Sequence, residues 1–102
     1  MHYIVYCNDK PNHVEKRLAN YEAHKAYLMT KPIKFLLSGP IVEEGSQDTM
    51  VGSFFLVEAN NIEEVQEFNN NDPFKAADIW ETITIRPFKL RVNNMTGEES
   101  GA

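Results

Sequence analysis

The chain has 102 residues, a formal charge of -5 and a sequence pI near 5.1, with 42% hydrophobic, 11% aromatic and 25% charged residues. That is the size and composition of one globular domain, whose folding hides roughly 65% of the unfolded surface, and it excludes disorder, collagen-like repeats and a coiled coil. The acidic balance, with no run of Lys and Arg, argues against nucleic acid as a partner, and nothing reaches the roughly 18 apolar residues of a membrane span.

In chain order, His2 to Cys7 is rich in aromatic and β-branched residues and closes on Asn8-Asp9 and Pro11, which predicts a first strand. The start of this segment lacks the basic region and long apolar run of a signal peptide, and Cys7 is a lone cysteine, so the expected location is cytoplasmic. Asn12 is placed to cap a helix with Glu15, and Val14, Leu18, Tyr21 and Leu28 share one face of a helix expected over residues 13–30. Ile33, Phe35 and Leu37 alternate with Lys34, Leu36 and Ser38 up to Gly39-Pro40, a second strand, and the polar residues 43–50 read as a loop. A third strand follows Gly52, through Ser53, Phe54, Phe55, Leu56 and Val57. Asn61 with Glu64 then caps a second helix carrying Ile62, Val65 and Phe68. Asn69 to Pro73 stops that helix, a short turn holds Ala76 and Ala77, and Ile79 to Val92 alternates as a last strand in which Pro87 marks an edge or bulge. Residues 93–102 are expected to form a mobile tail, leaving one domain over 1–92.

The order βαββαβ gives an α+β, ferredoxin-like arrangement: a four-stranded antiparallel sheet with two helices on one face. These strands are apolar on both sides, with Tyr3, Val5 and Cys7 against Ile4 and Tyr6, and Phe54 and Leu56 against Phe55 and Val57. The uncovered face calls for a cover, and the simplest is a second copy, giving a homodimer through the open sheet face.

Of the three histidines, His2 and His13 fall at element starts, where solvated rings are the ordinary outcome. His24 lies about 40° from Leu28 on the helical wheel, at the margin of the apolar stripe, where its ring reaches both core and cleft. Arg17 lies two turns earlier on nearly the same side, placed to hold an anion or a substrate carboxylate, unless it is a surface Arg paired with a Glu. His13 and His24 are about 16 Å apart in helical rise, so they share no metal ion, and no metal site is expected. Cys7 reads as a small buried hydrophobe, and Gly39, Gly45 and Gly52 are isolated and form no phosphate-binding loop. Between residues 43 and 81 there are ten acidic residues and Lys75 alone as a base, mostly the solvated side of the second helix. Asp72 is separate from these. It precedes Pro73, which by itself reads as a turn, and its loop can approach the first helix, where a carboxylate would orient an imidazole. The Asn94-Met95-Thr96 triplet has the form of a glycosylation acceptor and reads as chance.

The strand ending in Asp9, Glu15-Lys16-Arg17-Leu18-Ala19 leading to His24, Ser38-Gly39-Pro40, Gly52-Ser53, Asp72-Pro73-Phe74 and Arg86-Pro87-Phe88-Lys89 occur in the order seen in the YciI-like (YCII-related) proteins, and the chain resembles that family up to about Val92. The resemblance implies a dimeric α+β barrel with a His and an Asp facing a cleft, which map onto His24 and Asp72. Lys25 stands where the family usually has an apolar residue and falls inside the apolar stripe, so its stem must snorkel out or the helix must be rotated, and Asp78 stands where relatives often have glycine.

The leading expectation is a cofactor-free lyase or isomerase in which Asp72 orients His24, and His24 moves a proton on a small, anionic, cyclic or unsaturated substrate. Arg17, the Ser38 hydroxyl and backbone near Gly39 would hold the substrate's charge, with Phe74 and Trp80 as apolar walls. The alternatives are a non-catalytic module that binds a small molecule or another protein through the same cleft, and a His–Asp bond that merely fixes the loop after the second helix.

Overall fold

The computed structural model describes residues 1–95. Of the expected mobile tail, residues 96–102 lie outside the described residues, as does Thr96 of the Asn94-Met95-Thr96 triplet. Strands β1 (His2–Asp9), β2 (Lys34–Glu43), β3 (Ser46–Glu58) and β4 (Trp80–Phe88) form one antiparallel sheet in the order β2-β3-β1-β4. With the helices packed on one face, this is the expected ferredoxin-like α+β fold. No helix of the described residues is long and apolar enough to cross a membrane.

Alternation along β1 and β3 sets what the helices cover. Tyr3, Val5 and Cys7 pair with Val57, Phe55 and Ser53, and all six are buried. Val65, Phe68, Phe74 and Ile79 close the core over them. The other parity, Ile4 and Tyr6 beside Leu56 and Phe54, faces away from the helices.

Several boundaries differ from the sequence expectation. The helix expected over 13–30 is two, α1 (Val14–Ala19) and α2 (Tyr21–Met29). Asn20 divides them: its side-chain amide donates to the Lys16 carbonyl at 2.9 Å and its backbone N–H to the Arg17 carbonyl at 3.1 Å, a tight turn in which the amide competes with the helical ladder. Asn12 does not cap α1. It takes a left-handed backbone (φ 61), and His13 precedes the helix with its ring 2.8 Å from the Pro11 carbonyl. The cap of α3 (Ile62–Asn70) is as expected, Asn61 Oδ1 accepting from the Glu64 N–H at 3.0 Å, although Glu64 reaches back to the Asn60 N–H. Residues 43–50 are mostly strand rather than loop. The β2–β3 hairpin turns at Glu44-Gly45, where Gly45 supplies a φ of 87, and β3 therefore begins at Ser46 instead of after Gly52. The last strand ends at Phe88, short of Val92, and lies at a sheet edge, where Pro87 is tolerated.

One irregularity matters for the site. The strict alternation expected along β2 breaks at a register shift between Phe35 and Leu37, after which Ser38 pairs with Phe55 and Pro40 with Ser53. A single-residue slip moves every later side chain to the other face. It brings Ser38 to the helix side of the sheet with Phe35, rather than opposite it.

Candidate active site

On α2, His24 is 5% exposed, and its ring is fixed by two contacts. Nδ1 donates to Asp72 Oδ1 at 2.9 Å, a carboxylate being an acceptor only. The imidazole also stacks on Phe74, with centroids 4.0 Å apart and planes 10° from parallel. Asp72 is itself held by its place in the chain. It caps the short helix α4 (Pro73–Ala76), the same Oδ1 accepting from the Phe74 N–H at 2.9 Å, while Pro73 occupies the first helical position. Oδ2 of Asp72 is buried without a hydrogen-bond partner among the described residues. Capping α4 therefore aims the carboxylate at His24 and puts Phe74 under its ring.

The ring nitrogen left over is Nε2. It makes no hydrogen bond among the described residues and is not among the enclosed unpartnered atoms, and His24 lines a cleft of about 220 Å³ between α1, α2 and the β2–β3 hairpin. Nε2 thus opens to that cleft. Tyr21, Leu28 and Phe55 give it apolar walls, Ser38, Ser53 and the backbone at Gly39 and Pro40 give it polar edges, and Arg17 and Lys25 add two cations.

Arg17 is 1% exposed, not a surface residue. Its Nη1 meets both oxygens of Asp9 at 2.8 and 2.9 Å, its Nη2 donates to Ser53 Oγ at 2.7 Å, and its guanidinium carbon lies 4.6 Å from the Phe74 ring centre. Nε is buried with no partner among the described residues. Burial pushes the Asp9 carboxyl above the ordinary carboxylate range, and Arg17 opposes that push. Phe74 and Trp80 do not line the cleft. Phe74 backs the imidazole and the guanidinium, and Trp80 stands edge-on behind Phe74 at 6.0 Å. Ser38, Gly39, Arg17 and His24 are brought to one space, with Asp72 directly behind it. Asp9, Ser53, Phe55, Tyr21 and Leu28 were not foreseen as site residues. Parity was the available signal for three of them, since Asp9 continues the Tyr3-Val5-Cys7 series and Ser53 and Phe55 pair across it.

Cys7 sits deeper, 3.6 Å from the Asn69 amide, and burial pushes its thiol up to about 12, so it is an inert core group. Among the described residues no cluster of three or more His, Cys, Asp or Glu is placed to hold a metal ion. Asp78 has a left-handed φ of 59, the conformation that glycine takes most easily, and Lys10 at 2.6 Å holds its carboxyl below the usual range.

Fold and site together define a ferredoxin-like α+β domain with an anchored His–Asp pair at the floor of a small cleft. The chain belongs to the YCII-related family, whose domain matches residues 1–89. It is 33% identical over 95 residues to Protein YciI of Escherichia coli O6:H1, covering 87% of this chain and 97% of that one, and 30% identical over the same span to an uncharacterized protein of Haemophilus influenzae. Among solved structures it is similar to 5-chloro-2-hydroxyhydroquinone dehydrochlorinase (TftG) of Burkholderia phenoliruptrix in complex with 2,5-dihydroxybenzoquinone, with a TM-score of 0.82, 34% identity, and coverage of 87% of this chain and 94% of that one.

Proposed function

We propose that the chain is an enzyme of the lyase or isomerase type that moves a proton on a small hydroxylated ring, with His24 as the acid–base group and Asp72 as its positioning partner. The observation that carries this reading is the 2.9 Å Nδ1–Oδ1 bond, which leaves Nε2 open to the cleft. Nε2 takes the proton of a ring hydroxyl, the oxygen's electron pair forms a carbonyl, and the displaced ring pair takes up a proton at carbon. Where that carbon carries a leaving group such as chloride, a second ring hydroxyl then loses its proton and its oxygen's pair forms a second carbonyl. The displaced ring pair forms the new ring double bond, and chloride departs with its bonding pair to leave a quinone; without a leaving group the keto form is released as an isomer. Asp72 favours the imidazolium formed midway. A cavity of about 150 Å³ takes up benzene, so about 220 Å³ suits one ring with a few oxygens. The likeness to a dehydrochlorinase bound to a dihydroxybenzoquinone supports the same class of ligand. Ser38, Ser53 and the backbone at Gly39 supply hydrogen bonds to the ring oxygens in this reading, and Arg17, paired with Asp9, fixes Ser53 through the 2.7 Å bond to its Oγ.

The test is enzyme-dependent exchange of ring hydrogens with D2O, and chloride release, for single-ring trihydroxybenzenes with and without a chlorine. His24→Asn should lower the rate about 100-fold or more, and Asp72→Asn should lower kcat with little change in KM. Wild-type rates in either variant refute the assignment.

We also propose that two copies pair through the sheet face opposite the helices. Ile4, Phe54, Leu56, Leu36 and Phe88 line an apolar groove of about 480 Å³ there, extended by Leu90, Val92 and Met95. A face of this kind marks an interaction surface, and self-pairing is its simplest use.

A further inference from the structure

We infer that Lys25 is the residue that selects the charge of the ligand, and that the cleft takes anionic rings, such as hydroxyquinones and ring carboxylates, over neutral ones. The inference rests on the cleft being the ligand site, as proposed above. No Asp or Glu lines the cleft among the described residues, and its two cations differ in kind. Arg17 is enclosed, and both of its terminal nitrogens are engaged by Asp9 and Ser53. Its charge is offset within the fold.

Lys25 is held loosely at the rim. Its ammonium lies 5.2 Å from the centre of the Tyr21 ring, a cation–π placement that keeps it at the cleft mouth rather than in open solvent. Its acidic neighbour is Glu22, 3.9 Å away and one helical turn back, and the two side chains are 49% and 88% exposed. An exposed pair of that length is weak and readily exchanged for a better anion. A ligand in the cleft brings such an anion with Tyr21 and His24 as shared walls, and the ammonium can contact it without breaking any buried bond. Hydroxyquinones are vinylogous carboxylic acids and are anions at neutral pH, so they fit both Lys25 and a ring-shaped cleft.

The experiment is equilibrium titration of the full chain with 2,5-dihydroxybenzoquinone, followed by its visible absorbance, and with neutral hydroquinone, followed by histidine-ring NMR shifts. The wild type should bind the anion more tightly than the neutral ring, and raising NaCl from about 0.05 to about 0.5 M should narrow the gap. Lys25→Gln should weaken the anion about 10-fold and Lys25→Glu further, with hydroquinone unaffected. Unchanged anion affinity in Lys25→Gln, or equal losses for both ligands, overturns the role of Lys25 while leaving the cleft as the binding site. Failure of the wild type to bind either ligand overturns the cleft reading itself and this inference with it.

Discussion

Asp72 uses one oxygen for two purposes, and the two can be separated by substitution. Oδ1 accepts from the Phe74 N–H, which caps α4, and from His24 Nδ1, which orients the ring. Asp72→Ala loses both, and a stability loss of about 2 kcal/mol is expected in urea denaturation. Asp72→Asn keeps an acceptor at that position, so it should stay within about 1 kcal/mol of wild type and keep the Nδ1–H tautomer in 15N spectra of the ring, while turnover falls. Cys7 gives a pH-dependent expectation. With its thiol pushed from an ordinary value of 9.0 up to about 12 in the fold, its preference for the folded state is complete below about pH 9 and is lost as the pH rises from 9 toward 12. The unfolding free energy from urea titrations should therefore fall between about pH 8.5 and about pH 10.5, by up to about 1.4 kcal/mol per pH unit, and the slope should be shallower in Cys7→Ala. At this scale the sequence was only partly readable. His24 and Arg17 share a helical side by simple angular arithmetic, but the Asp9 carboxylate that engages Arg17 sits on another element, and a partner fixed by tertiary packing leaves no local pattern. The pairing of Asp72 with His24 came from resemblance, since an Asp-Pro step alone reads as a turn.

At the scale of elements, β1 passes close against β3 at Gly52. A Cβ added at Gly52 would lie 2.6 Å from the Cys7 carbonyl oxygen, and backbone at that position cannot step aside without parting the strands. Gly52→Ala should destabilise by about 1–3 kcal/mol, measured by thermal or urea unfolding, and the loss should carry to the cleft, because Ser53 and Phe55 follow on the same strand. Period-two and helical patterns are sufficient to locate the four strands and the capped start of α3, but with both parities of β1 and β3 apolar they do not say which one the helices cover. Irregularities were not legible. The Asn20 turn depends on a side chain preferring the Lys16 carbonyl to solvent, and the shift in β2 depends on how the hairpin settles against β3. A polar composition over residues 43–50 also hid a strand, since a two-stranded extension beyond the core is satisfied by backbone hydrogen bonds and has no apolar face to announce it.

For the whole molecule, sheet geometry puts the His24 cleft and the exposed apolar groove on opposite sides. The cleft lies under α1 and α2 with the buried parity of β3, whereas Tyr6, Leu36 and Phe88 remain 38, 39 and 42% exposed, and Leu36 and Phe88 line the groove on the far face. Two such faces stacked about a two-fold axis would remove large apolar side chains from water at roughly 25 cal/mol per Å². Sedimentation at micromolar concentration should give twice the 11.7 kDa chain mass. Because Leu36 and Phe88 contribute little to the core, the double substitution Leu36→Lys and Phe88→Lys should yield a folded monomer with an unchanged circular dichroism spectrum. A wild type that sediments at the single-chain mass would refute the pairing. The monomeric variant carries a second consequence: His24, Asp72 and Phe74 contact one another within one chain, so their ring signals should survive dissociation. If turnover falls in that variant while those signals persist, association acts on the cleft through β2 and β3, which carry Leu36 and Phe54 on the groove side and Ser38 and Phe55 on the cleft side, because the His24–Asp72 pair is complete in each copy.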